Sequence, residues 1–336
     1  MCVPLDSFSK PGKYENIYHS ITEEWSKEVF KARIVYSLTR DKAIMTDMLL
    51  GSAGVPREQD RSRVCFYGAG GFGNDLLCEP YILDTPFLID TFRRGELRGR
   101  PILSPEQFLA LPDCRRYLIV LMVGKKYEQE IAETLKMHQL NFIFFNWGEQ
   151  YFDLPQLMLT PEDEYFVDIG ALDGETTKRF FKRCPGGHAY VFEPCPPQFS
   201  VTENCLKRFG NRVELFPFGV SDENKTVRFS PFPENMGGSA IDPDGPIEIE
   251  TRRLDDLLAD RPVTFLKIDI EGSELAALRG AARIIREQKP KLAICVYHKP
   301  EDIWEIPDLI LQYNPDYNLY FRHYTASLCE TVLYAI

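Results

Sequence analysis

The sequence predicts an α/β protein. We expect a doubly wound, seven-stranded Rossmann-like sheet with an antiparallel C-terminal hairpin, preceded by a smaller Rossmann-like α/β domain and N-terminal helices. Three observations carry this expectation. Short apolar runs of strand length alternate with helix-length stretches from residue 64 onward. The alternation stops at a connector holding Pro155 and Pro161 and then restarts. A glycine-rich turn follows the first strand of each half. At 336 residues the chain is long enough for two such domains, each with its own core.

Residues 14 to 50 contain few breakers and space Ile17, Ile21, Trp25, Val29, Ile34, Leu38 and Ile44 mostly as helices do, so 1–60 reads as a helical segment stopped by Gly51 to Pro56. A small domain at 61–147 follows. Its strands are expected at 64–67, 87–90, 118–123 and 142–145, with helices near 72–82, 105–111 and 125–139. Residues 148–163 read as a linker. The second domain, 164–336, has strands at 165–169, 189–193, 213–220, 265–270 and 292–297, then an antiparallel pair near 317–323 and 330–335. Residues 231–246 hold too many Pro and Gly for regular structure and read as a lid or substrate-contact loop.

Composition narrows the function. With 39 Lys and Arg against 50 Asp and Glu, the net charge of −11 argues against nucleic acid and against anionic membrane surfaces as partners. The nine cysteines form no C-x-x-C pair and lack zinc-ligand spacing, as free thiols in a reducing, cytoplasmic compartment would. No apolar run approaches the roughly 20 residues a membrane span needs, and the first residues lack a signal-peptide profile.

The two glycine turns suit different ligands. Gly68, Gly70 and Gly73 fit G-x-G-x-x-G, and Asp90 ends the next strand near the offset of a ribose-binding acid. A dinucleotide site and an empty tight turn both satisfy that pattern. The second turn runs from Asp168 through Gly170, Ala171, Asp173 and Gly174 to Thr176, and its carboxylates fit a pyrophosphate poorly. S-adenosylmethionine suits it better, being cationic and free of phosphate. Glu193, closing the next strand, offers a carboxylate to ribose hydroxyls, and Ser221 with Asp222 follows the third strand within reach of an adenine.

Chemistry is expected at the fourth strand. A period of two puts Lys267, Asp269 and Glu271 on one side, and such a polar triplet in a covered sheet survives only if paired or used. The next strand delivers His298 to the same end, a side chain suited to accept a hydroxyl proton near neutral pH. His323, in the C-terminal hairpin, is a second candidate base. Asp269, Glu271 and His298 are also metal-ligand types, but nothing in their spacing demands an ion, and none is expected.

With these residues in view, the second domain resembles the FkbM family of class I S-adenosylmethionine-dependent methyltransferases. The resemblance spans about 165 to 336 and runs through 166–171, 191–194, 266–274, 297–302, 322–324 and 330–335. It implies methyl transfer, usually to oxygen, on a sugar, glycan or natural-product scaffold. It further implies that Asp168, Gly170, Gly174, Glu193 and Asp222 line the cofactor site while Asp269 and Glu271 face the methyl. Residues 61 to 145 more loosely resemble small Rossmann-like domains found ahead of sugar-modifying enzymes, which implies a nucleotide-sugar ligand or a docking and homodimer role. Asp75 after the glycine turn would weaken phosphate binding there. Rival readings are an NAD-linked oxidoreductase or epimerase run by the first turn, a non-catalytic cofactor-binding module, and N-methylation of an amide. Residues 222 to 260 hold ten Asp or Glu against four Lys or Arg, so the acceptor is expected to be neutral or cationic at its reacting end.

Overall fold

The computed structural model describes residues 13–52, 54–56, 59–70, 85–145, 148–231, 239–325 and 328–336. The helix expected near 72–82 lies outside them, as do Gly71 to Gly73, Asp75 and the middle of the 231–246 loop. The chain divides into two units. One comprises residues 31–148 with 324–329, the other residues 1–30, 149–323 and 330–336. The helical segment expected over 1–60 is thus shared between the units, and the stretch expected to be a linker belongs mostly to the larger one.

The smaller unit is built on a six-stranded sheet of β1 (Val64–Tyr67), β2 (Leu88–Ile89), β3 (Gly95–Leu97), β4 (Arg100–Leu103), β5 (Leu118–Leu121) and β6 (Asn141–Phe144), in the order β3-β4-β2-β1-β5-β6. All pairings are parallel except β3 with β4. That two-stranded ribbon was not expected from the sequence, because Arg98 and Gly99 make a turn too short to read as an interruption. Ser104 caps the helix Pro105–Leu109 with a reciprocal Gln107 contact, so the expected helix begins where its capping box dictates. Apolar clusters cover both faces of the sheet, Phe66 and Val120 on one side, Ile119 and Phe108 on the other.

The larger unit carries the expected seven-stranded sheet. Its strands are β7 (Tyr165–Ile169), β8 (His188–Phe192), β9 (Val213–Phe216), β14 (Phe265–Ile268), β15 (Lys291–Cys295), β16 (Leu319–His323) and β17 (Thr331–Ala335), ordered β16-β17-β15-β14-β7-β8-β9. The first five strands are parallel, and β17 runs antiparallel to both β15 and β16. Phe152, in the stretch read as a linker, packs its ring against Phe166 and, edge-on, against Phe265, and Phe166 in turn stacks on Phe180.

Two sequence expectations need correction. The strand over 213–220 is two strands. Pro217, which has no N–H to give a ladder, separates β9 from β10 (Phe218–Val220). β10 leaves the main sheet for a four-stranded one with β11 (Lys225–Ser230), β12 (Ala240–Ile241) and β13 (Ile247–Arg252), in the order β10-β13-β11-β12. β12 also occupies part of the segment expected to lack regular structure. Secondly, β14 ends at Ile268, so Asp269 and Glu271 sit in the turn beyond the strand rather than on one face of it.

Candidate active site

An open cleft of about 780 Å³ lies at the carboxyl end of the seven-stranded sheet, within the larger unit. Ile169 and Gly170 reach it from β7, Glu193 and Pro194 from β8, and Asp269 to Glu271 from β14. The four-stranded sheet supplies an apolar wall through Phe218, Phe229, Ile241 and Ile249. This is the crevice position that ligands favour in parallel α/β sheets.

Close backbone contact shapes its floor. Gly170 has φ of 82°, and a Cβ there would collide with the carbonyl of Asp269. Glycine lets the ends of β7 and β14 meet at this point. Leu172 also adopts a left-handed conformation, with φ of 56°, and its N–H donates to Glu193 Oε2 at 2.9 Å. The Cys195 N–H donates to Glu193 Oε1 at 2.9 Å. Burial raises the Glu193 carboxyl above its ordinary range, and these two amides oppose the rise. Beside it in the cleft stands Gln198, whose Oε1 is buried with no hydrogen-bond partner. An unpaired buried acceptor marks a place for a ligand donor.

Asp168 is turned the other way. Its side chain is fully buried, accepting from Thr177 Oγ1 at 2.6 Å and pairing with Lys267 Nζ at 3.0 Å. It therefore shapes the turn from behind and does not line the cleft. The remaining predicted contacts divide similarly. Asp173 is exposed and accepts the Glu175 N–H, while Ala171 and Gly174 are buried in the turn. None of these, nor Thr176, lines the cleft. Val220 does, but Ser221 and Asp222 fall one step beyond it, the carbonyl of Asp222 being held by Arg253 Nη1.

At the other end of the lining stand Asp269 and Glu271, with His298 beside them and outside the lining itself. Glu271 takes a left-handed conformation (φ 54°) followed by Gly272 (φ 94°), costly geometry of the kind retained at functional turns. His298 Nε2 lies 3.6 Å from Asp269 Oδ1 and 3.5 Å from Glu271 Oε2, and its Nδ1 lies 2.8 Å from Glu274 Oε1. Burial alone would lower the pKa of His298, but Glu271, Glu274 and Asp269 outweigh it and push the ring up to about 11. The carboxylates thus favour the protonated ring, which suits His298 to balance their charge. His323 lies elsewhere, with Nδ1 2.8 Å from Thr331 Oγ1, and does not line the cleft.

Sequence reasoning missed Tyr151, which holds Asp269, and the contacts that fix its segment. Tyr151 donates its hydroxyl to Asp269 Oδ2 at 2.8 Å, and its N–H donates to the hydroxyl oxygen of Tyr334 at 2.9 Å. Gln150 donates to Glu330, and Glu149 pairs with Arg179 and Arg183. The signal was present as the dense Glu149-Gln150-Tyr151-Phe152 run inside an assumed linker.

In the smaller unit, Asp90 accepts the N–H groups of Ala69, Phe92 and Arg93, each at 2.8 Å. Its carboxylate thus holds the start of the glycine turn at Ala69.

Comparison with known proteins accords with this geometry. Residues 168–324 match the family described as the methyltransferase FkbM domain. The 2-O-methyltransferase NoeI of Sinorhizobium fredii is 27% identical over 156 residues, covering 39% of this chain and 63% of that protein. Methyltransferase 1 of Beauveria bassiana is 26% identical over 147 residues, 36% of this chain and 59% of that one. The chain thus spans less than two thirds of the length of either. Hexuronic acid methyltransferase AglP of Haloferax volcanii is 27% identical over 194 residues, 54% of this chain and 73% of that protein. The crystal structure of methyltransferase FkbM from Methylobacillus flagellatus superposes with a TM-score of 0.50 at 24% identity, over 88% of this chain and 99% of that one, and shares its fold. Among the described residues, no helix is long and apolar enough to cross a membrane.

Proposed function

We propose that this chain, whose residues 168–324 match the methyltransferase FkbM domain, transfers a methyl group from S-adenosylmethionine to a hydroxyl oxygen of a sugar, glycan or natural-product acceptor. The observation that carries this reading is the joining, in one cleft, of a buried acceptor pair, Glu193 and Gln198 Oε1, with the carboxylates of Asp269 and Glu271. Glu193 and Gln198 are acceptors suited to the hydroxyl and amino groups of an adenosine. The close approach at Gly170 brings the turn after β7 against the Asp269 carbonyl, so that both strand ends border the same cleft. When bound, S-adenosylmethionine supplies an electrophilic methyl carbon beside a sulfonium.

The chain's own residues do the rest. Phe218, Phe229 and Ile249 exclude water from one wall. Asp269 takes the proton of the acceptor hydroxyl, worth roughly 10²–10⁴ in rate, while most of the acceleration comes from holding the reactants in register. Tyr151 fixes the orientation of Asp269, and the imidazolium of His298 balances the carboxylates around it. The relatives' names, a 2-O-methyltransferase and a hexuronic acid methyltransferase, support a sugar hydroxyl as acceptor. A nucleotide-sugar ligand on the smaller unit finds less support, since Asp90 is already engaged by three amides. Light scattering tests the homodimer expected there.

The deciding experiment is calorimetric titration with S-adenosylmethionine and, separately, with NAD, followed by transfer of labelled methyl to a panel of glycans and metabolites. Binding of the methyl donor and labelling of a hydroxylated acceptor are expected. Binding of NAD alone would reverse the reading, and donor binding with no labelled product would reduce the domain to a binding module.

A further inference from the structure

Beside the cleft, Asp269, Glu271 and His298 form an arrangement that proton removal does not require. Asp269, Glu271 and His298 each offer one ligand atom, all within 4.8 Å of one another. Nε2 of His298 stands 3.6 Å from Asp269 Oδ1 and 3.5 Å from Glu271 Oε2. A cation about 2.1–2.2 Å from each of three donors, at octahedral or tetrahedral angles, separates those donors by roughly 3.0–3.6 Å. The two histidine-to-carboxylate distances have that value.

The imidazole itself is the second observation. Its side chain is 7% exposed, and Nε2 is buried without a hydrogen bond while facing both carboxylates. Behind it, Nδ1 lies 2.8 Å from Glu274 Oε1, and that carboxylate is fixed by the Ile270 N–H at 2.9 Å. A carboxylate behind the far ring nitrogen orients a metal-ligating histidine and makes its near nitrogen a better donor. Two further features agree. Glu271 is held in its costly left-handed conformation at this point, and both Asp269 and Glu271 border the open cleft, which leaves coordination positions for an outside ligand.

We infer that Asp269, Glu271 and His298 bind one divalent cation of the Mn²⁺ and Mg²⁺ class, the ion displacing the Nε2 proton of His298 to solvent while Nδ1–H stays on Glu274, the positioning residue behind the histidine. Two carboxylate oxygens and one imidazole nitrogen with open positions suit such an ion. Its role deepens the transfer reading and rests on it. A hydroxyl of the acceptor would complete the coordination shell, and the ion would raise the acidity of that hydroxyl, sharing with Asp269 the work of deprotonation. Acceptors with two neighbouring hydroxyls would then be preferred, because they can chelate.

The test uses the full chain, treated with chelator, desalted, and titrated with Mn²⁺ alone while electron paramagnetic resonance follows the free aquo ion. One Mn²⁺ per chain is expected, with affinity at least ~10-fold weaker in Glu271→Gln and in His298→Asn. Circular dichroism establishes that each variant is folded. Glu271 is partly exposed, so Glu271→Gln decides the matter if the buried histidine variant does not fold. No uptake at millimolar Mn²⁺, or uptake undiminished in the folded variants, overturns the inference and leaves His298 as an imidazolium counter-ion. S-adenosylmethionine titration of the same metal-free sample separates this failure from failure of the transfer reading.

Discussion

Lys267 and Asp168 form an ion pair in the interior of the sheet, Nζ to Oδ1 at 3.0 Å, with side chains 3% and 0% exposed. The ammonium also donates to the carbonyls of Ile169 at 3.3 Å and Gly170 at 2.6 Å, so its three protons are all engaged. Burial opposes the charged form of Lys267, but Asp168 and Asp269 outweigh it and raise its pKa. Lys267→Met leaves a buried carboxylate without its partner and should cost ~3–5 kcal/mol in chemical denaturation. Pairing it with Asp168→Leu should restore much of the stability without restoring methyl-donor binding, since the Gly170 carbonyl has still lost its anchor.

Gly170→Ala places a methyl group against the Asp269 carbonyl at a left-handed position. The ends of β7 and β14 would have to part. Methyl-donor affinity should fall by more than ~10-fold together with a lowered melting temperature, because two backbone atoms cannot yield as a flexible side chain can. Calorimetry and thermal denaturation of the same preparation measure both effects.

Asp269→Asn should keep the fold and the methyl-donor affinity while reducing turnover by ~10² or more. Tyr151→Phe removes only the hydroxyl that orients Asp269, and should reduce turnover by a smaller factor. Full activity in Asp269→Asn would remove the carboxylates from the mechanism.

Asp302 lies buried near Glu274, and burial first, then that neighbouring charge, pushes its carboxyl up to about 7. In the unfolded chain it ionises near 3.9. Between those values the native state keeps a proton that the unfolded state has lost, so stability falls as pH rises from about 4 to about 7 and levels off above. Asp302→Asn keeps an acceptor for the Lys299 N–H and removes that burden. It should raise the melting temperature at pH 8 by ~2–4 °C or more, with the gain shrinking toward pH 4.

How much of this was legible depended on what each residue needed. Gly170 and Glu193 could be placed from one sequence because strand ends and turn glycines have fixed offsets in a parallel sheet, and both line the cleft. His298 was placed beside Asp269 and Glu271 by the same logic, while its ionisation followed from three carboxylates that only the fold collects. Asp168 faces the interior, a direction that sequence does not reveal for an acid at a strand end. Here Lys267, on the adjacent strand, draws it inward. Tyr151 escaped because prolines in its neighbourhood suggested a passive connector, and Gln198 because one amide in a helix carries no pattern. Pro217 was visible, yet its effect was to send the next three residues into another sheet, which is a choice made by packing.

The register of β7 with β14 has a temporal consequence. Lys267 binds the carbonyl of Ile169 across 98 residues of sequence. The floor of the cleft therefore closes only when a long loop of chain has been gathered, a slow and non-local event in folding. A nascent chain that has made β7, its glycine turn and β8 owns most of the groups that would touch a nucleoside but has nothing to hold them together. Ligand capture should accordingly report completion of the sheet, and a methyl donor supplied during refolding should slow unfolding far more than it speeds folding.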